Sequence, residues 1–252
     1  MSRKKKMKNQ RPSSEICLSE GVQNAASTLL ANIRFSSVDM PIQTIAVTSS
    51  VPNEGKTTVA VALAAAIGSS GGNCLVMEGD MRRRSLRSVF NAKPQYGLYA
   101  LLSGNCSFKE AVVGTEFPNV NFLDAEAGIS NPDSILNSKR YGELLEILAQ
   151  HYDYIIIDTP PATAFPDASI IASKTDGVVL VARQDFTEKR DIAYSLDQLD
   201  AAGANVLGVS FNCVTGESGS GYGYYYGYYY EKKKVKADSP EAIAARGKHS
   251  QS

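Results

Sequence analysis

Residues 45–58, IAVTSSVPNEGKTT, decide how the rest of the chain is read. Ile45-Ala46-Val47 is an apolar strand, the run Ser49 to Glu54 breaks it, and Gly55-Lys56-Thr57-Thr58 leads into the alanine-rich helix VAVALAAAIG. A strand, a loop, GK[ST] and a helix form a phosphate-binding loop. Successive backbone N–H groups, the positive end of the helix dipole and the Lys56 ammonium converge on one small volume that suits the β- and γ-phosphates of a nucleotide. Thr57 is placed to put its hydroxyl on Mg²⁺. The candidate nucleotide contacts are therefore Ser50, Asn53, Glu54, Gly55, Lys56, Thr57 and Thr58, with Ser50 standing where the motif has its first glycine. An ordinary strand-to-helix turn that happens to carry a lysine is the bland alternative. It leaves the signals in the second half of the chain unexplained.

The chain has 252 residues, 43% of them apolar, which is enough to bury one sizeable α/β core. Formal net charge is zero, so no global field points to nucleic acid as a partner. Met1 to Arg11 nevertheless holds Arg3, Lys4, Lys5, Lys6, Lys8 and Arg11 without an acid. Such a segment is a solvated tail by default, and in its functional reading a polybasic patch for peripheral association with anionic lipid or a membrane partner. Cys17, Cys74, Cys106 and Cys213 have no CxxC spacing and read as reduced thiols of a cytosolic protein. No apolar run reaches the roughly 18 residues that span a bilayer, and the basic N-terminus lacks a signal peptide's apolar segment. The expectation is a soluble protein that can work at a membrane.

Residues 1–19 read as a basic disordered tail, 20–214 as one phosphate-loop domain and 215–252 as a flexible tail. Val22, Ala25, Ala26, Leu29 and Ile33 recur at helical spacing within Glu20 to Phe35. After the phosphate-loop helix, Cys74 to Met77 is a buried strand that runs into Glu78-Gly79-Asp80-Met81-Arg82. Carboxylates there stand at the C-terminal edge of a sheet, where open α/β folds bind ligands. Leu98 to Leu102 and Phe108 to Val113 carry short helical patterns, Val120 to Leu123 is a strand, and Ser134 to Gln150 a helix. In YDYIIIDTPP, four apolar or aromatic residues run straight into Asp158 and then Pro160-Pro161. That fixes a carboxylate at a strand end, where it can hold Mg²⁺ through water or beside Thr57. A further helix opens at Pro166-Asp167; beyond it come a strand at Gly177 to Ala182, a helix at Glu188 to Ala202 and a strand at Val206 to Asn212. The alternation predicts a doubly wound, mostly parallel sheet of the P-loop NTPase type.

Composition then changes abruptly. GESGSGYGYYYGYYYEKKK gathers Tyr222, Tyr224, Tyr225, Tyr226, Tyr228, Tyr229 and Tyr230 in a glycine-serine context with no period that would bury a face. A sticky aromatic patch and a low-complexity tail are the bland readings; the sharper one is a set of phosphate acceptors.

Together, the GKT loop, the strand ending in acid-x-Asp-x-Arg, the strand ending in Asp-x-Pro-Pro and the tyrosine cluster resemble the bacterial tyrosine kinases (BY-kinases) of capsular and exopolysaccharide synthesis. The similarity runs from about Asn24 to Val214 and includes NIRFS at 32–36, SKR at 138–140 and GANVLGVSFN at 203–212. It implies that Ser50 to Thr58 is the Walker A loop and that Lys56, Glu78, Asp80 and Asp158 are the catalytic set. By the same resemblance Thr57, Asp80 and Asp158 would hold Mg²⁺, Arg82 and Asn212 would contact ATP with Asn212 facing adenine, and the tyrosine cluster would be autophosphorylated. It further implies a cytoplasmic kinase at the inner face of the membrane. There its partners would be a membrane-embedded activator of the polysaccharide co-polymerase type and other kinase subunits.

Two departures stand out. The family has Asp where this chain has Glu78, the residue credited with accepting the tyrosine proton. Its first helix carries Glu-x-x-Arg-x-x-Arg, which pairs subunits in a ring, whereas the aligned residues here are Asn24, Ser27 and Leu30. Leu30 is expected to bury against another apolar surface, and the chain to be a monomer or weak dimer in isolation. The rival readings are a catalytically weak nucleotide-binding regulatory subunit of the same system and a Min- or Par-type partitioning ATPase. The second lacks support in the loop, because Ser49-Ser50-Val51-Pro52 has no lysine to reach across a nucleotide sandwich dimer.

Overall fold

A computed structural model describes residues 19–37 and 41–214. The basic stretch Met1 to Arg11 and the tyrosine cluster lie outside the described residues. The chain divides after Asn212 into two compact units, the first of which carries the α/β fold.

It begins with α1 (Glu20–Phe35), capped by Ser19, whose hydroxyl accepts from Val22 N–H. Strand β1 (Thr44–Ser49) feeds the phosphate loop and α2 (Lys56–Ser69). Then come β2 (Cys74–Glu78), α3 (Leu86–Val89), α4 (Leu98–Leu102), α5 (Phe108–Ala111), β3 (Val112–Gly114) and β4 (Val120–Leu123). The rest of the unit is α6 (Pro132–Leu136), α7 (Lys139–Ala149), β5 (Tyr154–Asp158), α8 (Asp167–Ala172), β6 (Gly177–Arg183), α9 (Lys189–Ala201) and β7 (Val206–Asn212). The seven strands form one sheet in the order β3-β4-β2-β5-β1-β6-β7. All neighbours are parallel except β3, which pairs antiparallel with β4. The expected doubly wound sheet is therefore the observed one.

Both faces are covered, and strand alternation sorts the core. Ile45, Val47, Val76 and Ile156 point to the side of α1 and α2, whereas Ala46, Leu75, Met77, Ile155 and Ile157 point to the side that holds Tyr141, Leu145 and Leu148 of α7. That double burial makes the strands read as continuous apolar runs.

Three local expectations change. The helical pattern at Phe108 to Val113 stops at Ala111, and the β-branched Val112-Val113 pairs with Leu123 and Phe122 as the antiparallel edge strand. The helix expected from Ser134 to Gln150 is two helices. Ser138, in extended conformation, interrupts it and accepts from Tyr141 N–H to start α7. Leu30, expected to meet another apolar surface, is only 4% exposed and lies in this chain's own core beneath α1. The apolar stripe of α1 is spent within its own chain, on the core that it shares with α2, so Leu30 has nothing left for a neighbour. Ser27 is exposed and returns its hydroxyl to the Gln23 carbonyl.

No described helix is long and apolar enough to cross a membrane. Cys74 and Cys106 are free thiols, and burial pushes the Cys74 thiol far up.

Candidate active site at the carboxyl edge of the sheet

The central strands β1, β2 and β5 end at one edge, and the loops that leave them build the site. After β1 the loop turns through Asn53 and Gly55, both with positive φ (72° and 91°). A Cβ on Gly55 would run into the Asn212 side chain, so this position takes glycine for space as well as conformation. No side chain caps the N-terminus of α2, and its first turn has no acid, which leaves the N–H groups there for an anion.

The loop is braced from behind. Glu54 is buried, accepts from Val51 N–H at 2.8 Å and from the Thr187 hydroxyl, and so turns its carboxylate away from the cavity. Asn212, arriving at the end of β7, donates its side-chain N–H to the Glu54 carbonyl at 2.9 Å. Ser50 is fully buried; its carbonyl accepts from the Thr163 hydroxyl at 2.6 Å, while its own Oγ has no hydrogen-bond partner among the described residues.

In front of the loop, Lys56 Nζ lies 3.3 Å from Asp158 Oδ1 and 3.6 Å from Asp80 Oδ2. The Thr57 hydroxyl donates to Asp158 Oδ2 at 2.7 Å. Burial alone would lower Lys56, but Asp158, Asp80 and Glu78 outweigh it and hold the ammonium above its ordinary range. Burial raises the Asp158 carboxyl, against the pull of Lys56 and Thr57. Among the described residues no three or more His, Cys, Asp or Glu side chains group as a metal site. Mg²⁺ bound with phosphates needs only one or two carboxylates plus water, and the Thr57–Asp158 pair with Asp80 beside it fits that demand.

Glu78 behaves differently from its neighbours. It is 1% exposed; Oε2 accepts from Leu86 N–H at 2.9 Å and Oε1 from Asp80 N–H at 3.3 Å. Burial, and then the Asp158 charge, raise its carboxyl well above the usual range. Gly79 separates it from Asp80 because a Cβ there would stand 2.8 Å from the Asp158 carbonyl. Asp80 Oδ1 accepts from Arg83 N–H at 3.0 Å and closes the turn.

A cavity of about 550 Å³ opens over these groups. Asn53, Gly55, Lys56, Thr57 and Thr58 line one side, Asp80 with Arg82, Arg83 and Arg84 another, and Pro160, Pro161, Ala164 and Phe165 a third. Of the expected residues, Ser50, Glu54, Glu78 and Asp158 are buried behind this lining, and half-buried Asn212 stands beside it against Gly55. Arg82 is tied to buried Asp167 at 2.8 Å and to Asp133 at 3.1 Å, rather than lying free for phosphate. Arg84 pairs with buried Asp124 at 2.6 Å, which leaves its buried Nε without a partner among the described residues. Arg83 is exposed and enters neither of these ion pairs.

Residues 42–189 match the AAA domain family model. The tyrosine-protein kinase CpsD of Streptococcus pneumoniae serotype 4 is 34% identical over 187 residues, which cover 74% of this chain and 82% of that protein. The chain belongs to the bacterial tyrosine kinase family. Among solved structures, the kinase domain of the Escherichia coli tyrosine kinase ETK superposes on this family member with a TM-score of 0.76 at 25% identity, covering 87% of this chain and 88% of that one. The septum site-determining protein MinD of Pyrococcus horikoshii, complexed with Mg-ADP, gives 0.58 at 25% identity over 66% and 68% of the two chains. The shared sheet explains the second likeness, and the greater overlap with ETK goes with the family.

Sequence reading missed Thr187 behind the loop, the Asp133–Asp167 anchor of Arg82, the Arg84–Asp124 pair and Phe165. The run Arg82-Arg83-Arg84 and a single aromatic among the small residues after Pro161 were the available signals. Neither says which partner it meets.

Proposed function

We propose that this bacterial tyrosine kinase is an ATP-dependent autokinase that regulates capsular or exopolysaccharide synthesis and export, with its own Tyr222 to Tyr230 cluster as acceptor. The observation that carries the reading is the convergence of Lys56, Thr57, Asp80 and Asp158 before the uncapped N-terminus of α2. Lys56 and the α2 N–H groups bind and orient the phosphates of ATP. Thr57 and Asp158 are the residues that would hold Mg²⁺, which would supply charge compensation on those phosphates. In the transfer, the acceptor phenol oxygen forms a bond to the γ-phosphorus as the bond to the β–γ bridging oxygen breaks, and that electron pair leaves with ADP. Asp80, the carboxylate that lines the cavity, takes the phenolic proton. Glu78 supports the step through the loop that it holds.

In this reading the kinase works at the inner face of the membrane with a membrane-embedded activator of the polysaccharide co-polymerase type and with other copies of the kinase. Phosphate passes between copies, since tethering by the activator raises effective concentration. A second reading, a catalytically weak regulatory subunit, is favoured by the turn of Glu78 away from the cavity. Incubation with Mg-ATP, with and without the membrane partner, followed by phosphotyrosine detection separates the two. The kinase gives labelling that Lys56→Met abolishes, whereas the regulatory subunit binds nucleotide without labelling. Mixing Lys56→Met protein with an active copy that lacks residues 215–252 tests the direction of transfer. Label on the Lys56→Met tail is expected, and its absence while the unsubstituted chain labels itself means transfer within one chain.

A further inference from the structure

The orientation of a nucleotide in this cavity is set by strand order. The phosphate loop leaves β1; on one side of it lie β5 and β2, and on the other β6 and β7. Lys56, which meets the terminal phosphates, leans toward Asp158 and Asp80 at the ends of β5 and just past β2. The γ-phosphate end therefore faces the β5–β2 side, and the base must extend toward β7, where Asn212 stands. An acceptor has to approach from the β5–β2 side.

That side carries an aromatic ring with no part in the groups so far assigned. Phe165 comes shortly after Asp158-Thr159-Pro160-Pro161, lines the cavity and is 40% exposed. The Arg82 guanidinium carbon lies 4.2 Å from its ring centroid, and Arg82 is itself held by Asp167 and Asp133. The segment that bears the ring is bolted to the phosphate-loop strand. Thr159 N–H donates to the Val47 carbonyl at 3.0 Å, Ala162 N–H to the Ser49 carbonyl at 2.8 Å, and the Thr163 hydroxyl to the Ser50 carbonyl. A cation covering one aspect of an aromatic ring, and a backbone fixed in register with the phosphate site, make a rigid apolar surface at a set place.

We propose that Phe165 is the platform on which the acceptor tyrosine ring stacks, with Arg82 holding that platform in place. The inference rests on the kinase reading above and adds the origin of acceptor selectivity. A serine or threonine side chain has no ring to lay on Phe165, so it gains none of the stacking that holds a phenol oxygen near the γ-phosphate. Pro160, Pro161 and Ala164 complete the apolar wall without adding a polar group that would need a partner.

The test uses the full-length chain with Mg-ATP and, as probe, a biotinylated synthetic peptide of residues 219–231 in excess, with initial rates measured against peptide and against ATP. Phe165→Ala is expected to raise the peptide KM by about two- to tenfold more than the ATP KM, the worth of one ring-on-ring contact. Phe165→Tyr is expected to restore it, and Phe165→Leu, which keeps bulk without a ring, to restore it only in part. Thermal melts check the fold, and Phe165→Leu replaces the alanine variant should that one not fold. A peptide KM unmoved by loss of the ring, or an ATP KM that rises as much as the peptide KM, overturns the platform while leaving the kinase reading intact. Absence of transfer by the unsubstituted chain overturns the kinase reading and the platform with it.

Discussion

Replacing Glu78 by Asp restores the residue that the resemblance leads one to expect, and the structure says that the restoration will do harm. Glu78 reaches across the loop that carries Asp80 and the three arginines, and its Oε2 accepts from Leu86 N–H at 2.9 Å. Removing one methylene withdraws the carboxylate by about an ångström, the scale of one C–C bond. The bond to Leu86 N–H breaks, and that N–H lies in a residue with no solvent exposure. Leaving that buried donor without its acceptor costs roughly 1–3 kcal/mol. For a domain of this size each kcal/mol lowers the thermal midpoint by about 2–4 °C, so a fall of roughly 2–12 °C is expected. The loop also shifts Asp80 relative to Lys56, and a misplacement of about 1 Å can cost up to about 10²-fold in rate. Differential scanning calorimetry and initial autophosphorylation rates at saturating Mg-ATP measure both. A Glu78→Asp variant that melts where the parent does and phosphorylates faster would mean that Glu78 is a misplaced base rather than a brace, and the reasoning would fail.

Ser50→Ala removes a fully buried hydroxyl that has no partner among the described residues and keeps the carbonyl that Thr163 uses. Stability should rise by about 1 kcal/mol, a gain of roughly 2–4 °C in thermal midpoint, and an equal loss would show that the hydroxyl has a bound water. Leu30→Arg, which restores a ring charge by sequence, should destabilise the fold instead of building an oligomer, because Leu30 is 4% exposed within the core. Denaturant melts decide it: a variant as stable as the parent that assembles in light scattering refutes the placement. Light scattering of the unsubstituted chain at several concentrations should give a monomer or weak dimer, and a stable ring of many subunits without partner or lipid would show that the missing charges at Asn24 and Ser27 are not limiting.

What the sequence determined by itself is whatever is encoded over a few neighbouring residues. The phosphate loop, the carboxylate at the end of β5 and the alternation of strand and helix are local patterns: N–H groups of one turn, one lysine beside them and an apolar run need no distant partner to be recognised. Strand β3 and the break at Ser138 escaped because each is fixed by a competing local preference too short to outweigh the pattern around it. Tertiary structure alone decided the rest. Arg82 meets Asp167 from 85 positions away, and Thr57 meets Asp158 from 101. Which face of α1 the core beside α2 consumes set the fate of Leu30, and which way a buried carboxylate turns set that of Glu78. Those outcomes depend on desolvation: a charge or an apolar chain taken out of water must find its partner in whatever the fold brings near, and the fold is not written beside it in the chain.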